Sequence, residues 1–332
     1  MSRTAPVAAP LATTPPRHGL HIVSGKGGVG KTTVAGALAC ALATEGRRVL
    51  LCEVEGRHGI AELFGVPTLV GDEERRLLRT PAGGAVHGLS IDAEDALLEY
   101  LETFYHLGLA GRALDRFGAI DFATSVAPGL RDVLLTGKVY EAVRRGPTGR
   151  PNAYDAVVLD APPTGRISQF LNVHQAVSGL ARMGPIRGQA DSIMEVLRSP
   201  TTVVHLVTLL EDMPVTETEE AVVALTPTRI TVGGVIENKV TPSPLDPDEL
   251  RRAAEQTLEL AVPGWTDAQN TALATEFAVE AARTLQQQER HARLTGLGLP
   301  LAAVTFDAGG IDEAALLTIA DQLRDQLELE AA

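Results

Sequence analysis

The run Gly25-Lys-Gly-Gly-Val-Gly-Lys-Thr-Thr33 constrains this chain more than any other feature. From Gly25 to Thr32 it fits G-x-x-x-x-G-K-[ST], the phosphate-binding loop that must follow a strand and open a helix. Both flanks agree with that requirement. Leu20–Ser24 is a short apolar run bounded by Gly25, which predicts a buried strand. From Thr32 to Glu45 the pattern turns helical, with Val34, Leu38, Ala41 and Leu42 on one face and Gly46 as a stop. Val49–Val54 is a second buried strand. Strand, loop, helix and strand make a βαβ unit, whose strands are parallel and joined by a right-handed crossover.

Four later runs repeat the strand pattern: Tyr154–Asp160, Thr202–Thr208, Thr231–Glu237 and Leu299–Thr305. Each is apolar on both faces and ends in polar residues, as in a parallel sheet covered on both sides. The expected class is α/β: a doubly wound, mostly parallel sheet flanked by helices, with functional residues at the carboxyl ends of its strands. Residues about 92–145 interrupt the alternation with helical spacing (Leu97, Leu101, Phe104, then Leu130, Val133, Leu134), and a second helical stretch covers about 166–199. We read both as a helical subdomain inserted into one nucleotide-binding domain over 19–330. A helix over about 311–329, striped by Leu316, Ile319, Leu323 and Leu327, closes the fold.

Composition narrows the function. The chain has 332 residues, with 42 acidic against 29 basic side chains and a net charge of -13. That field repels phosphate backbones and anionic lipid, so neither nucleic-acid binding nor direct membrane insertion is expected. No run approaches the roughly 18 apolar residues of a membrane span. Cys40 and Cys52 form no CxxC, which excludes a disulfide scaffold or zinc finger. Residues 1–18 are rich in Pro, Ala and Thr and lack an apolar signal-peptide core, so they read as a disordered tail and the protein as cytoplasmic. His58, His174 and His205 are not spaced as a metal cluster. Of the basic residues only four are lysine: Lys26, Lys31, Lys138 and Lys239. In a chain that uses arginine wherever a surface charge suffices, lysine is retained where a compact ammonium fits and a guanidinium fork does not.

The loop implies the ligand. The backbone N–H groups of Gly27, Gly28, Val29 and Gly30, with the positive end of the following helix, suit the phosphates of ATP. Lys31 reaches the β- and γ-phosphates, Thr32 ligates Mg2+, and Thr33 touches the α-phosphate.

Lys26, directly after the first glycine, resembles the signature lysine of the deviant Walker A ATPases. In that group it crosses a dimer interface to the partner's phosphates. Residues 50–64, LLCEVEGRHGIAELF, resemble the first switch segment LLxSTDPAHSLSDAF of the arsenite-pump and tail-anchored-protein-targeting branch, with His58, Glu62 and Phe64 in register. Residues 160–171, DAPPTGRISQFL, resemble its second switch DTAPTGHTLRFL, matching at Asp160, Pro163, Thr164, Gly165, Phe170 and Leu171. Asn238 in VIENK matches the adenine-reading asparagine of the family's VxNQ.

The resemblance covers nearly everything from about residue 19. It implies that Asp160 holds Mg2+ through a water, that Pro163, Thr164 and Gly165 line the γ-phosphate, and that Glu55 orients the attacking water. It implies a homodimer, or a heterodimer with a paralogue, that handles a protein client or membrane partner. Two departures stand out: Glu55 replaces the switch I aspartate, and Arg166 replaces the switch II histidine. The cysteines of a metalloid site and of a bridging zinc are missing, and four methionines make a poor groove for hydrophobic tails. An alternative is a nucleotide-binding regulatory subunit with little hydrolysis, partnered with an active paralogue. A membrane-partitioning ATPase ranks lower, because the C-terminus DQLRDQLELEAA is acidic. A nitrogenase-type protein lacks its cluster cysteines.

Overall fold

The computed structural model describes residues 18–44, 46–55, 58–71, 73–97, 99, 128–146, 153–173, 185–258 and 262–327. The expected tail over 1–18 lies outside these except for His18. So does most of the stretch about 98–127, with Leu101 and Phe104, and so does His174.

The strands are β1 (Gly19–Gly25), β2 (Arg48–Val54), β3 (Arg75–Arg79), β4 (Ala85–Ile91), β5 (Ala156–Asp160), β6 (Thr202–Thr208), β7 (Thr231–Val240) and β8 (Leu301–Thr305). They form one eight-stranded sheet in the order β3-β4-β2-β5-β1-β6-β7-β8. All neighbours are parallel except the edge pair β3–β4. The first strand therefore lies at mid-sheet and later strands add on both sides, the doubly wound arrangement expected from the apolar runs. The place where such winding reverses is where ligands bind. Here that place is the carboxyl end of β1, between β5 and β6.

Two cores cover the two faces. Leu20 and Ile22 of β1, Leu50 and Cys52 of β2 and Val157 and Leu159 of β5 face one core. It is closed by α3 (Pro128–Arg145), α4 (Thr164–Leu171), α5 (Pro185–Leu197) and α6 (Asp212–Leu225). Val23, Val49, Leu51 and Val158 face the other, under α1 (Lys31–Leu42) and α9 (Glu313–Gln326). Alternate residues of one strand thus fill opposite cores, and so these runs show no polar alternation. The stripe is buried as expected, with Leu316, Ile319 and Leu323 on α9 and Leu327 at its C-cap.

Several boundaries differ from the sequence reading. The first helix ends at Leu42, where Ala43 N–H bonds back to Ala39 and Cys40. Gly46 does not cap it but turns the chain at φ 80° toward β2. Its burial is not one-sided either, since every residue from Val34 to Leu42 is buried between sheet and α9. β5 begins at Ala156 instead of Tyr154, and β8 at Leu301 instead of Leu299. β7 runs on to Val240, past the expected end at Glu237.

β3 and β4 were not foreseen. RRLLR carries three arginines, which suits a solvent-facing edge strand. AVHGLSI is interrupted by Gly88, whose bare Cα admits Leu77 and Leu69; a Cβ there would lie 2.9 Å from Leu77. Between β7 and β8, α7 (Pro247–Ala254) and the 29-residue α8 (Asp267–Thr295) form a hairpin with its own small core of Leu250, Ala253 and Ala281. No helix among the described residues is long and apolar enough to cross a membrane.

Candidate functional site

The carboxyl ends of β2, β5, β1, β6 and β7 share one edge of the sheet, and the loop from Gly25 to Lys31 lies at its centre. Gly28 and Gly30 take φ of 85° and 90°, the left-handed backbone that turns successive N–H groups toward one concavity. Gly25 and Gly30 are also sterically fixed. A Cβ on Gly25 would stand 2.1 Å from Val207 O, and one on Gly30 2.3 Å from Asn238 Nδ2. Around Gly27 and Gly28, by contrast, there is open space. The N-cap of α1 is Gly30, so the first-turn N–H groups are capped by no side chain of that residue. A concavity of inward N–H groups over a helix N-terminus, open on its outer side, is suited to a phosphate chain.

Lys31 is buried at the base of this loop, and its Nζ donates to Lys26 O at 3.0 Å. Thr32 Oγ1 donates to Asp160 Oδ2 at 2.6 Å. This joins the first turn of α1 to the end of β5, the pairing required of a hydroxyl that ligates Mg2+ and a carboxylate that holds its water. Thr32 and Asp160 are the residues that would hold Mg2+, which when bound supplies positive charge to the phosphate oxygens.

Behind the loop, Ser24 Oγ donates to Pro162 O at 2.7 Å, fixing the path of residues 160–164 against β1. Pro163 is the N-cap of α4, and Thr164 begins it, buried, while Gly165 is exposed.

Asn238 belongs to the same edge through a defect in β7. The β7–β8 register shifts between Glu237 and Val240, and Lys239 takes φ 58°. Such a bulge re-aims a side chain. Asn238 is buried, with Nδ2 donating to Val29 O at 2.7 Å and Oδ1 accepting from Lys239 N at 3.0 Å. Both ends of the amide brace the phosphate loop and the bulge.

The two switch segments meet at Glu55. It follows β2 with φ 73°, a left-handed backbone that costs a non-glycine residue on the order of 1–3 kcal/mol. Its Oε1 accepts from Arg166 Nη1 at 2.7 Å, and Arg166 Nη2 reaches Asp132 Oδ1 of α3 at 3.4 Å. Burial holds the Asp132 carboxyl above its ordinary value, with the Arg166 guanidinium opposing and Glu55 adding to the effect. His58, in register with the family, is the N-cap of the short α2 (Gly59–Leu63) at φ 54°.

Lys26 makes its ion pair outside the phosphate loop. Its Nζ pairs with Glu217 Oε1 of α6 at 2.9 Å, and Thr164 Oγ1 donates to Glu217 Oε2 at 3.3 Å. Glu217 thus links the signature lysine to the second switch. Lys138 forms an ion pair with Glu99, so it is not a simply solvated surface lysine. Lys239 is exposed.

Glu53, Asp132 and Glu217 were not singled out from sequence. Glu53 had a signal, a carboxylate inside the apolar run VLLCEV. Glu217 stands among other acids in TETEE, with nothing local to separate it.

A doubly wound sheet with a phosphate loop at its central strand defines a P-loop nucleotide-binding protein of the α/β class. The comparisons name the branch. Residues 19–200 match the sequence pattern of the anion-transporting ATPase family. ATPase BagA of Mycobacterium tuberculosis is 46% identical over 316 residues, 92% of this chain and 93% of that protein. An arsenical pump-driving ATPase of Aquifex aeolicus is 31% identical over 144 residues, 42% of this chain and 44% of its own. ATPase GET3 of Kluyveromyces lactis is 28% identical over 183 residues, 51% of each chain. The chain belongs to the anion-transporting ATPase family.

Proposed function

We propose that this protein binds ATP with Mg2+, hydrolyses it slowly, and works as a dimer, with itself or with a paralogue. Nucleotide state is coupled to a protein or membrane-transport partner handled by the helical segments about 92–145 and 166–199. The observation that carries this reading is the convergence at one sheet edge of the glycine cradle, the Thr32–Asp160 pair and Glu55.

Phosphoryl transfer through a loose transition state needs mainly positioning and charge stabilisation. Lys31 and the loop N–H groups serve the phosphates, and Lys26 serves those of the partner subunit. Glu55 orients water, and Thr164 and Gly165 respond to the γ-phosphate. Slow turnover follows from a carboxylate one methylene longer than aspartate, since displacement by about an ångström costs roughly a hundredfold.

One observation favours the second reading, a regulatory subunit with little hydrolysis: the Glu55 carboxylate is engaged by Arg166. Metalloid binding through thiols is not part of either reading. Cys40 and Cys52 are both buried, and burial pushes the Cys40 thiol up to about 12.

The test is thermal stabilisation by MgATP together with single-turnover hydrolysis of the full chain. Wild type is expected to show both, and Lys31→Ala to lose the stabilisation. An equal ATP-dependent shift in the variant contradicts the nucleotide site. Binding without detectable turnover selects the regulatory reading.

A further inference from the structure

Glu53 is the most deeply buried carboxylate at the nucleotide edge of the sheet and has no role in the site described so far. It is 1% exposed. On β2 it sits opposite Asp160 of β5 in the parallel register. Adjacent strands lie about 4.8 Å apart and paired residues point to the same face, so the two carboxylates stand side by side. That face is the one covered by α1. Cys52 and Leu159, one position earlier on each strand, fill the opposite core.

Only one Glu53 oxygen is accounted for: Oε2 accepts from Ile60 N at 3.1 Å, in the first turn of α2. Oε1 is buried and makes no hydrogen bond. The neighbouring Gly59 lies against Thr32, where an added Cβ would be 3.2 Å from Cγ2 and 3.5 Å from Oγ1. Glu53, Asp160, Thr32 and the start of α2 are therefore one cluster.

Capping Ile60 N–H explains one oxygen and leaves the burial of the other uncompensated. A buried carboxylate beside a second carboxylate is unfavourable unless a cation or donors meet its free lone pairs. A hard divalent cation held through water by carboxylates, next to a loop hydroxyl and phosphates, meets that need.

We propose that Glu53 is a second carboxylate of the Mg2+ site, holding the cation's water beside Asp160 and tying the cation to α2 through Ile60 N–H. The proposal rests on the nucleotide-binding reading above and deepens it. At this position the resembling switch segment carries serine, so the extra carboxylate is a departure from that segment. Glu53 is a positioning residue, acting on the cation and on the segment that follows Glu55.

The test titrates Mg2+ into the full chain at fixed ATP and reads the thermal shift, with ATP affinity in EDTA measured in parallel. Glu53→Gln keeps an acceptor for Ile60 N–H and removes the charge. Losing an outer carboxylate of a metal site typically costs about 10–100-fold in metal affinity. The Mg2+ midpoint is therefore expected to rise at least about tenfold, with ATP affinity in EDTA unchanged. A midpoint within about twofold of wild type overturns the proposal. If the Gln variant does not fold, Glu53→Asp is read against the same limit, with an expected rise of a fewfold because it keeps the charge but shortens the reach. A wild-type chain with no Mg2+-dependent nucleotide binding overturns the ATPase reading instead.

Discussion

Arg166 Nη1 lies 2.7 Å from Glu55 Oε1, so two of the positions at which the switch segments depart from the family's pattern are in contact. Asp to Glu lengthens one side chain, and His to Arg gives the other a fixed planar fork. The pair closes across the gap between β2 and α4, and Asp132 of α3 holds the second arm of the fork. The end of β2, α4 and α3 thus share one guanidinium. Arg166 is 47% exposed at its side chain, so the pair is open to water and exchangeable.

From this pair follow opposite effects on turnover. Glu55→Gln removes the charge proposed to orient water and is expected to lower single-turnover hydrolysis by roughly tenfold to a hundredfold, with ATP affinity nearly unchanged. Arg166→Ala removes this guanidinium from the carboxylate and is expected to raise the rate severalfold. Glu55→Asp raises it if reach is the only defect. If Arg166→Ala falls as far as Glu55→Gln, Arg166 supplies transition-state charge rather than restraint. Equal rates in all variants would remove Glu55 from the mechanism.

Lys26 and Glu217 give a prediction about assembly. A lysine that serves a partner's phosphates must first leave Glu217, its partner within the same chain. The pair is about a third exposed on each side, and such pairs contribute about 0.2–1 kcal/mol. Glu217→Gln is therefore expected to strengthen ATP-dependent association by up to about fivefold, and Lys26→Ala to weaken it. Sedimentation with a non-hydrolysable ATP analogue measures both. No association of wild type in any nucleotide state, alone or with cellular partners, contradicts the dimer. Association that ignores Glu217 contradicts the competition.

Asn238 is expected to act as a brace as well as a reader of the base. Its Nδ2 holds Val29 O, and removal of one partner leaves a buried carbonyl unsatisfied, at about 1–3 kcal/mol. Asn238→Ala should therefore lower affinity for ATP and GTP alike. A loss confined to ATP would make adenine reading its whole role. Gly30→Ala meets the same amide from the other side and should abolish binding of both.

The phosphate loop, the central strands and the switch segments were legible because each is a local pattern: a glycine spacing, an apolar run, a motif at a strand's end. The pairings among them were not. Glu55 and Arg166 are distant in sequence, and only the β2-β5-β1 order brings their strand ends together. Glu217 became visible only once α6 was seen beside α4. The bulge that aims Asn238 has no signature in VIENK, since Lys239 is an unusual residue for φ 58°. β3 was hidden by arginines that face water at the sheet edge, and β4 by a glycine that makes room for leucines from β3 and its neighbouring loop.

The core also predicts a response to acid. His21 of β1 and His205 of β6 are fully buried, their rings stacked at 5.3 Å, with His21 Nδ1 3.0 Å from His205 Nε2. Room for His205 comes from Gly233 of β7, where a Cβ would lie 3.3 Å from the ring. Burial, and then the His21 charge, push the His205 imidazole down to about 3. Its unfolded value is about 6.5, so the unfolded chain takes the proton first. A group neutral in the fold contributes its full stability above about pH 6.5 and loses it progressively as pH falls toward 3. At pH 5 the loss for one such histidine is about 2 kcal/mol, from about 1.4 kcal/mol per pH unit below 6.5. Carboxylates add their own acid sensitivity, so the informative quantity is a difference between variants. His205→Leu keeps an apolar filling of similar bulk and removes the proton site. The melting temperature of wild type minus that of His205→Leu, measured between pH 7.5 and 5, is expected to fall with pH, because wild type loses more. Parallel curves would mean that His205 is already charged in the fold or that its proton is exchanged with no change in stability, and would refute a neutral buried His205.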